Sequence, residues 1–291
     1  SAWEVFGQPK NISIVELGPG DGTLMRILIN VLKRFPKIDF AKNIYLYETS
    51  DYLKRKQKNN LSNNKVVWIK SLKEIKKGPV IFFGNEFFDA IPIKQFIRKK
   101  NKYFEKNYRL DNDNKINEIF KKATKTDIRI IKSFKTFKNQ NFIELPKLGL
   151  QQLEKITKVI SKLKGCILII DYGYLLPNNQ NTLQSVIRHR KNPLLKNLGK
   201  ADVTSHVNFA LLREFFLKKK LKVKKTVTQK EFLENMGILQ RAEIVSKEMK
   251  FKDKTNLYLR LRRLLSKKLM GRLFKVILSY NFKKNNFYGF K

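Results

Sequence analysis

The feature that most constrains this 291-residue chain is a glycine-rich turn near its beginning, in the stretch NISIVELGPGDGTLMRIL. The residues before the turn are mostly β-branched or aliphatic and contain no breaker, which predicts a β-strand. The apolar residues after it, from Leu24 to Leu32, recur at helical spacing. Gly18, Gly20 and Gly22 lie between the two elements, so a ligand could contact bare backbone near a helix N-terminus.

Strand and helix patterns alternate along most of the remaining sequence. Further strands are predicted from Asn43 to Tyr47 and in KVVWI, GPVIFFGN, CILIID and GRLFKVILSY. This alternation predicts an open, mostly parallel α/β sheet. From residue 94 to residue 147 the rhythm breaks, because QFIRKKNKYFEKNYRLDNDNKI alternates and carries Asn and Asp where a hairpin would turn. We expect residues 1–93 to form the first part of the core, 94–159 an insertion with a hairpin and a helix, and 160–291 the second part.

Local patterns predict how some of these elements begin. Ser50 or Asp51 suits the N-cap of a helix in SDYLKRKQKNNL, and Thr204 or Ser205 suits the N-cap of the helix that follows ADVTSH. The long connection NTLQSVIRHRKNPLLKNLGKADVTSH shows little regularity, and LKVKKTV predicts one strand. Glu74, in the short helical turn SLKEI, is interpreted as a solvated acid.

The chain is strongly basic, with 63 Lys and Arg against 24 Asp and Glu and a net charge of +39. One interpretation is a polyanion partner such as nucleic acid, a ribosome or an anionic membrane. The other is a compositional bias, because Lys, Asn and Ile are abundant together and the lysines are scattered along the chain. The scatter favours the bias, and a weak, salt-sensitive affinity for polyanions follows from either interpretation.

Composition also limits the class of protein. A hydrophobic content of 42% with 22 Phe predicts a folded chain. No stretch approaches eighteen uninterrupted apolar residues, so we predict no membrane span, and no signal-peptide pattern opens the sequence. The single cysteine, Cys166, excludes an internal disulfide framework and fits a reducing compartment.

Charged residues around the glycine turn indicate which ligand it holds. No Lys-Ser or Lys-Thr follows the turn, which disfavours a phosphate cradle. Glu16 ends the first strand and would attract a positive ligand such as S-adenosylmethionine, with its sulfonium and amino groups. Glu48 closes the second strand, where a carboxylate can accept hydrogen bonds from two ribose hydroxyls. The predicted cofactor site comprises Glu16, Gly18, Gly20, Gly22, Thr23 and Glu48. The alternative is that Glu16 only caps a helix or pairs with a lysine.

A second polar cluster, GNEFFDAIP, follows the fourth predicted strand. Open α/β sheets bind ligands at the carboxyl ends of their strands, so Asn85, Glu86 and Asp89 could face the same crevice as the glycines. Carboxylates there suit a cationic substrate, since a guanidinium accepts bidentate pairing, although they would also suit a solvated loop. Asp171 and Tyr172 end the fifth strand and reach this edge by the same topology.

Histidine is a further candidate for the chemistry. His206 precedes a predicted helix and could act as a general base near neutral pH, whereas a lone histidine is more often structural. The other histidine is His189, in RHRK. Because no Cys/His spacing typical of metal ligands occurs, we expect no metal.

A series of segments, taken in order, resembles the MidA family of class I S-adenosylmethionine-dependent methyltransferases, whose mitochondrial members are complex I assembly factors. The segments are VELGPGDGTLMRIL, GNEFFDAIPIKQF, LIIDYG, NTLQSVIRHRKNPL, ADVTSHVNF, TQKEFLENMGI and MGRLFKVI. The resemblance covers nearly the whole chain, from Ile12 to Ser279.

This resemblance implies a Rossmann-like class I methyltransferase fold. Its seven-stranded, mostly parallel sheet has an antiparallel last strand, here Leu273 to Ser279, between its neighbours. It implies that Gly18 to Gly22 line the methionine part of the cofactor and that Glu48 holds the ribose. For mitochondrial members it implies symmetric dimethylation of an arginine in a complex I subunit, so the expected partner is a protein. The expected location is the bacterial cytoplasm or, in a eukaryote, the mitochondrial matrix.

The sequence departs from the family pattern in three places. Asp21 stands where the family usually has Arg, and Gln180 and Asn181 stand where it usually has Gly-Asp. Family members also carry a segment before the first strand that helps cover the cofactor, and the sequence as given lacks it.

Two other functions stay open on the sequence alone. A nicotinamide-dependent oxidoreductase would use the same glycines and acid, and a parallel last strand would favour it. A non-catalytic basic protein that binds RNA or an assembly intermediate would be favoured by a contiguous Lys/Arg face with embedded aromatics. The oligomeric state also stays open.

Overall fold

The fold is known from a computed structural model that describes residues 1–35, 43–62, 64–113, 115–176, 179–188 and 190–290. His189 lies outside these residues. The strands in the described part of the chain are β1 (Ser13–Leu17), β2 (Ile44–Tyr47), β3 (Val67–Ile69), β4 (Val80–Asn85), β5 (Lys94–Lys99), β6 (Lys102–Leu110), β7 (Ile116–Lys122), β8 (Phe142–Leu145), β9 (Gly165–Tyr174), β10 (Gln184–Ile187), β11 (Arg190–Asn192), β12 (Asp202–Thr204), β13 (Val207–Asn208), β14 (Lys222–Val223), β15 (Val227–Thr228) and β16 (Phe274–Tyr280).

The α-helices of the described residues are α1 (Ala2–Val5), α2 (Thr23–Leu32), α3 (Asp51–Asn60), α4 (Lys125–Ser133), α5 (Lys147–Leu163), α6 (Phe209–Lys218), α7 (Gln229–Asn235), α8 (Ile238–Ser246), α9 (Phe251–Leu265) and α10 (Met270–Leu273). Short 3₁₀ turns occur at Leu72–Glu74, Lys135–Phe137 and Tyr288–Phe290. Within the described residues, no helix has the combined length and apolar character that crossing a membrane requires.

The main sheet has the strand order β14-β16-β9-β4-β1-β2-β3, with β13 and β15 added beside β9 and β16. The neighbouring strands from β9 to β3 pair in parallel, whereas β16 runs antiparallel to both β9 and β14. The predicted mostly parallel sheet with an antiparallel last strand is therefore confirmed. Its main order has the predicted seven strands, and the short β13 and β15 bring the described sheet to nine. Its last strand begins and ends one residue later than predicted.

Both faces of the main sheet are covered by helices. β1 is buried along its whole length, as expected for a central strand of a parallel sheet. One face packs against α5 and α6 through Val15, Leu17, Phe82, Leu153 and Phe216. The opposite face packs against α2 through Ile12, Ile14, Leu46, Met25 and Ile29. This packing fixes the carboxyl ends of β1, β2, β4 and β9 along one edge, where the predicted site residues lie.

The expected excursion forms a sheet of its own. Strands β5 to β8 make a four-stranded antiparallel sheet in the order β7-β6-β5-β8, with α4 in the connection to β8. The chain then returns to the main sheet through α5. The division of the chain at residues 93 and 159 stays a prediction.

Four local expectations are revised by the structure. The connection expected to be irregular contains a small antiparallel sheet, in the order β11-β10-β12. LKVKKTV forms two short strands, β14 and β15, instead of one. Asn208, not Thr204 or Ser205, caps α6, and its Oδ1 accepts the Leu211 N–H at 3.0 Å. The helix starts later than predicted because β12 and β13 engage the residues before it.

The fourth revision concerns Glu74, which is exposed but whose side chain is held by hydrogen bonds to the backbone. Its Oε1 accepts the backbone N–H groups of Lys70 at 2.9 Å and Ser71 at 2.6 Å, and with Ser71 it forms a capping box. By contrast, the predicted N-cap Ser50 is confirmed, since its hydroxyl accepts the Leu53 N–H at 3.3 Å.

Candidate active site

The glycine turn between β1 and α2 has a backbone that suits glycine at each of its three positions. Gly18, Gly20 and Gly22 have φ values of 61°, 56° and 84°, in the left-handed region that disfavours side chains. A Cβ at Gly18 would also lie 2.7 Å from Cδ2 of Phe87. The glycine turn therefore contacts the Asn85–Asp89 segment directly, so the two polar clusters predicted from the sequence lie side by side.

Glu16 is buried at the end of β1, with 3% of its surface exposed. Its Oε2 has no hydrogen-bond partner among the described residues. Burial, and next the charge of Asp21, raises the pKa of this carboxyl to about 8. No ion pair joins Glu16 to a lysine in the described part of the chain, so the alternative interpretation of Glu16 gains no support there.

Glu48 lies at the end of β2 and is held by hydrogen bonds on both of its oxygens. Its Oε1 accepts the backbone N–H groups of Thr49 and Ser50, both at 2.8 Å. Its Oε2 accepts an N–H from the Gln57 side chain at 3.2 Å. The carboxylate therefore has a fixed orientation, and Oε2, with a single donor, has capacity to accept another hydrogen bond.

Thr23 is the first residue of α2, and its backbone N–H donates to Asp21 Oδ1 at 2.9 Å. Asp21, at the position where the resemblance leads one to expect Arg, thus serves the start of the helix. The bond lowers the pKa of the Asp21 carboxyl.

Asn85, Glu86 and Asp89 follow β4 at the same edge of the sheet. Asn85 and Glu86 are exposed, whereas Asp89 is 5% exposed and its Oδ1 has no partner among the described residues. Glu86 has a φ of 51°, an unusual conformation for a residue with a side chain. Although the residue is exposed as a whole, partial burial of the Glu86 carboxyl, and next the charge of Asp89, raises its pKa.

Asp171, at the end of β9, fixes the position of this segment. Its Oδ2 accepts the backbone N–H groups of Phe88 at 3.0 Å and Asp89 at 3.3 Å, and Oδ1 accepts that of Tyr172 at 3.0 Å. Burial, and next the charge of Asp89, raises the pKa of the Asp171 carboxyl well above its usual range. Asp171 therefore holds the backbone that presents Asp89.

Tyr172 connects Asp89 with His206. Burial, and next the neighbouring Asp89 side chain, raises the pKa of the Tyr172 hydroxyl. Its ring lies edge-on to the His206 ring, with 5.5 Å between centroids. Burial lowers the pKa of His206, so this imidazole is neutral at pH 7. His206 thus adjoins the carboxylate cluster through Tyr172.

The residues at this edge fit S-adenosylmethionine as a cofactor. The unpartnered Glu16 oxygen suits a positive amino group, and Glu48 can accept from a ribose hydroxyl. The absence of a Cβ at Gly18, Gly20 and Gly22 leaves the turn backbone accessible. The described residues contain no group of three or more His, Cys, Asp or Glu side chains that could hold a metal ion, and metal-free chemistry stays a prediction.

Two residues of the site were not predicted with their structural roles. Gln57, fully buried on α3, donates hydrogen bonds to both the glycine turn and Glu48, and Thr204 lies close enough to the Tyr172 hydroxyl to affect its pKa. Gln57 lies inside a helix, and Thr204 ends a short strand far in sequence from the glycine motif, so no sequence pattern indicates these roles. Asp171 and Tyr172 were predicted at this edge, but their bonds to the Asp89 segment depend on a sheet register that no single sequence reveals.

Comparison with known protein families gives a match over most of the chain. The profile of the family described as "Putative S-adenosyl-L-methionine-dependent methyltransferase" matches residues 1–227.

Two curated proteins are similar to the chain in sequence. "Protein arginine methyltransferase NDUFAF7, mitochondrial" of Danio rerio is 25% identical over 268 residues, which is 84% of this chain and 63% of the relative. The NDUFAF7 homolog of Caenorhabditis elegans, also named a mitochondrial protein arginine methyltransferase, is 28% identical over 257 residues, or 81% of this chain and 60% of the relative. The chain therefore spans about three fifths of the length of these relatives.

Two solved structures, of related proteins from Burkholderia thailandensis, share the fold. They superpose with TM-scores of 0.81 and 0.80 at 20% and 21% identity. Each covers 99% of this chain, which in turn covers 79% and 76% of theirs. The second contains bound S-adenosyl-homocysteine.

Proposed function

This chain belongs to the MidA family of class I S-adenosylmethionine-dependent methyltransferases, and we propose that it transfers a methyl group from S-adenosylmethionine to an arginine of a protein substrate. The observation that carries the proposal is a pair of buried carboxylate oxygens without partners among the described residues, Glu16 Oε2 and Asp89 Oδ1. In a chain with a net charge of +39, cations of the protein itself are abundant, yet in the described part of the chain none pairs with these two oxygens. Two cationic ligands, one at each oxygen, would satisfy them.

On the cofactor side, S-adenosylmethionine supplies a methyl group activated by a sulfonium centre. Glu16 binds its positive amino group, and the ionised form of Glu16 is required for that contact. Glu48 accepts from the ribose, and the turn from Gly18 to Gly22 lies along the methionine part. Thr23 contributes to the start of α2, where backbone N–H groups point toward the crevice.

On the acceptor side, Glu86 and Asp89 bind the guanidinium and keep its positive charge on the nitrogens that are not methylated. Asp89 also accepts the proton that the methylated nitrogen loses, a role that its raised pKa favours. Asn85 is a neutral hydrogen-bonding group near the point of transfer. His206, as a neutral imidazole, is a second proton acceptor at the same edge. Because methyl transfer needs in-line approach, positioning supplies much of the rate.

The relatives support arginine as the acceptor, since those from Danio rerio and Caenorhabditis elegans are named protein arginine methyltransferases. We extend this to symmetric dimethylation of a respiratory complex I subunit, with a role in complex I assembly. The corresponding location is the mitochondrial matrix in a eukaryote and the cytoplasm in a bacterium. The antiparallel β16 argues against the nicotinamide alternative.

Mass spectrometry of complex I subunits from cells with and without this gene tests the acceptor. We expect a dimethylated arginine that disappears with the gene. In vitro, Asp89→Asn should lower the rate of methyl transfer by about a hundredfold or more, while affinity for S-adenosyl-homocysteine changes little.

Asp113→Asn is the matched control, because Asp113 is an exposed acid in the turn between β6 and β7. It should leave both the rate and the affinity unchanged. Unchanged arginine methylation in cells without the gene would overturn the substrate. Full activity of Asp89→Asn would overturn the acceptor site while leaving the cofactor site intact.

A further inference from the structure

Gln57 is the one side chain of the described residues that hydrogen-bonds both to the glycine turn and to Glu48. It lies on α3 and is fully buried, with 0% exposure. Its Nε2 donates to the Gly20 carbonyl oxygen at 2.8 Å and to Glu48 Oε2 at 3.2 Å. One amide nitrogen therefore joins the loop after β1 to the acid after β2.

Trp68, on β3, fixes which way this amide points. Its indole N–H donates to Gln57 Oε1 at 2.8 Å. An indole can only donate and a backbone carbonyl can only accept, so the amide oxygen must face Trp68 and the nitrogen must face Gly20. A flipped amide would lose its hydrogen bonds to Trp68, Gly20 and Glu48. The orientation of Gln57 is therefore determined by its neighbours.

On the side that faces α3, few other side chains hydrogen-bond to the glycine turn. Its glycines have no side chains to hold them, and positive φ values leave the backbone conformation dependent on its contacts. Asn60, one helical turn after Gln57, donates from Nδ2 to the Asp21 carbonyl oxygen at 2.8 Å. Both amides bind carbonyl oxygens of the turn on its α3 side. Gln57 differs from Asn60 because it is buried and also contacts Glu48.

We propose that Gln57 is the positioning residue of the cofactor crevice and sets the separation between the glycine turn and the Glu48 carboxylate. It does not contact the reacting atoms. By donating to Glu48 it aims Oε2 at the ribose position, and by donating to Gly20 it holds the turn at the matching distance. This inference rests on the proposed function, because it concerns how the same crevice binds S-adenosylmethionine.

If Gln57 only filled space, a substitution that keeps its size would leave cofactor affinity unchanged, whereas a positioning role predicts a loss of affinity. Gln57→Met keeps the length and volume of the side chain but removes its hydrogen bonds to Gly20, Glu48 and Trp68. Positioning predicts that affinity for S-adenosyl-homocysteine falls by about tenfold, as expected when charge-assisted and backbone bonds are lost. With saturating S-adenosylmethionine, kcat should hardly change while KM for the cofactor rises by a similar factor.

Gln140→Met is the matched control. Gln140 is also buried, at 6% exposure, and its Nε2 donates to a backbone carbonyl oxygen, that of Thr136, at 3.0 Å. It lies before β8, in the excursion. Titration calorimetry should show parental affinity for S-adenosyl-homocysteine in this variant. Equal affinity in Gln57→Met and the parent would overturn the proposal.

Gln57→Glu gives a readout that packing would not move. Near pH 8 its carboxylate would face that of Glu48, and the variant should bind S-adenosyl-homocysteine about a hundredfold less tightly than the parent. As pH falls to about 5.5, one carboxyl of the pair takes up a proton and can donate as the amide did. The ratio of parental to variant affinity should therefore shrink by about tenfold.

Each failure has a distinct signature. If the ratio of parental to Gln57→Glu affinity stays constant across this pH range, the positioning role is overturned. This test holds even if Gln57→Met does not fold. A parent that binds no S-adenosyl-homocysteine at any pH would overturn the proposed function itself.

Discussion

Glu16 is a buried acid whose ionisation opposes folding stability, although its proposed contact with the cofactor requires the ionised form. Its carboxyl lies at the end of the central strand, where burial raises its pKa to about 8. The folded protein therefore holds this proton more tightly than the unfolded chain does. The free energy of unfolding should fall as pH rises from the unfolded pKa of 4.5 toward 8, by at most about 1.4 kcal/mol per pH unit.

Glu16→Gln should remove that loss and also weaken binding. We expect the variant to be no more stable than the parent near pH 5 and more stable near pH 8, with S-adenosyl-homocysteine affinity reduced by about tenfold or more. Calorimetric titrations of the parent at pH 7 in buffers of different ionisation enthalpy should show proton release on binding, and the variant should show none. A variant that is less stable at pH 8 would contradict the buried, unpaired state of Glu16.

Glu48→Gln tests the ribose contact. Loss of the negative charge should lower affinity for S-adenosyl-homocysteine by about ten- to a hundredfold, since charge-assisted hydrogen bonds contribute about 1.5–3 kcal/mol. Because Glu48 also accepts two backbone N–H groups and the Gln57 amide, a modest loss of stability should accompany it. Thermal unfolding and calorimetry measure the two effects. Parental affinity in this variant would show that the cofactor is misplaced.

Glu74 does not serve as a silent control for that substitution, because it accepts two backbone N–H groups in a capping box. Asp113 is the better choice. Strand-end acids such as Glu16 and Glu48 follow from topology. The role of Glu74 also has a signal in the sequence, because Ser71 and Glu74 have the Ser-x-x-Glu spacing of a capping box, and interpreting Glu74 as a solvated acid overlooks it.

At the scale of elements, one ion-pair cluster fastens the excursion to the main body. Asp127, at 0% exposure on α4, pairs with Lys94 of β5 at 2.9 Å and with Lys147 of α5 at 2.8 Å, and Thr124 donates to it at 2.9 Å. These bonds outweigh burial and lower the pKa of Asp127 to about 2. Three elements that are distant in sequence thus share one carboxylate.

Asp127→Ala should destabilise the protein by about 2–4 kcal/mol, because two partly buried lysines lose a partner. The stabilising contribution of Asp127 is present above its unfolded pKa of 3.8 and should be lost as pH falls toward 2. Chemical unfolding at pH 7 and at low pH measures this. Asp51→Ala, at an exposed pair with Lys54, should cost less than about 1 kcal/mol. Equal costs for the two variants would refute the role of Asp127.

Elements with a strong apolar pattern could be predicted from the sequence, whereas short strands that form only by pairing with a neighbouring strand could not. The core strands β1, β4 and β9 follow from runs of apolar residues, and Ser50 follows from its place before a helix. The small sheet of β10 to β12 could not be predicted, since its strands are short, polar and partly exposed. The cap of α6 was misplaced for the same reason, because pairing of β12 and β13 delays the helix to Phe209.

At the scale of the whole molecule, the sheet order follows from alternating strands and helices together with the family resemblance. Composition alone gave the sign of the charge but not its distribution.

We propose that the net charge of +39 gives only weak, nonspecific polyanion binding. Anisotropy titrations with labelled single-stranded DNA should show affinity that falls steeply with salt. Replacing Lys155, Lys158 and Lys162 by Gln should weaken binding no more than replacing Lys99, Lys100 and Lys102. A much larger loss in either set would instead locate a dedicated surface.

We infer above all that the edge formed by β1, β2 and β4 binds S-adenosylmethionine. Calorimetric titration of the protein with S-adenosyl-homocysteine, near pH 8 and at moderate salt, tests it most directly. We expect a single site with a Kd between about 1 μM and 1 mM, with weaker binding in Glu48→Gln and unchanged binding in Asp113→Asn. No heat of binding under these conditions, or equal affinity in the parent and Glu48→Gln, would contradict it.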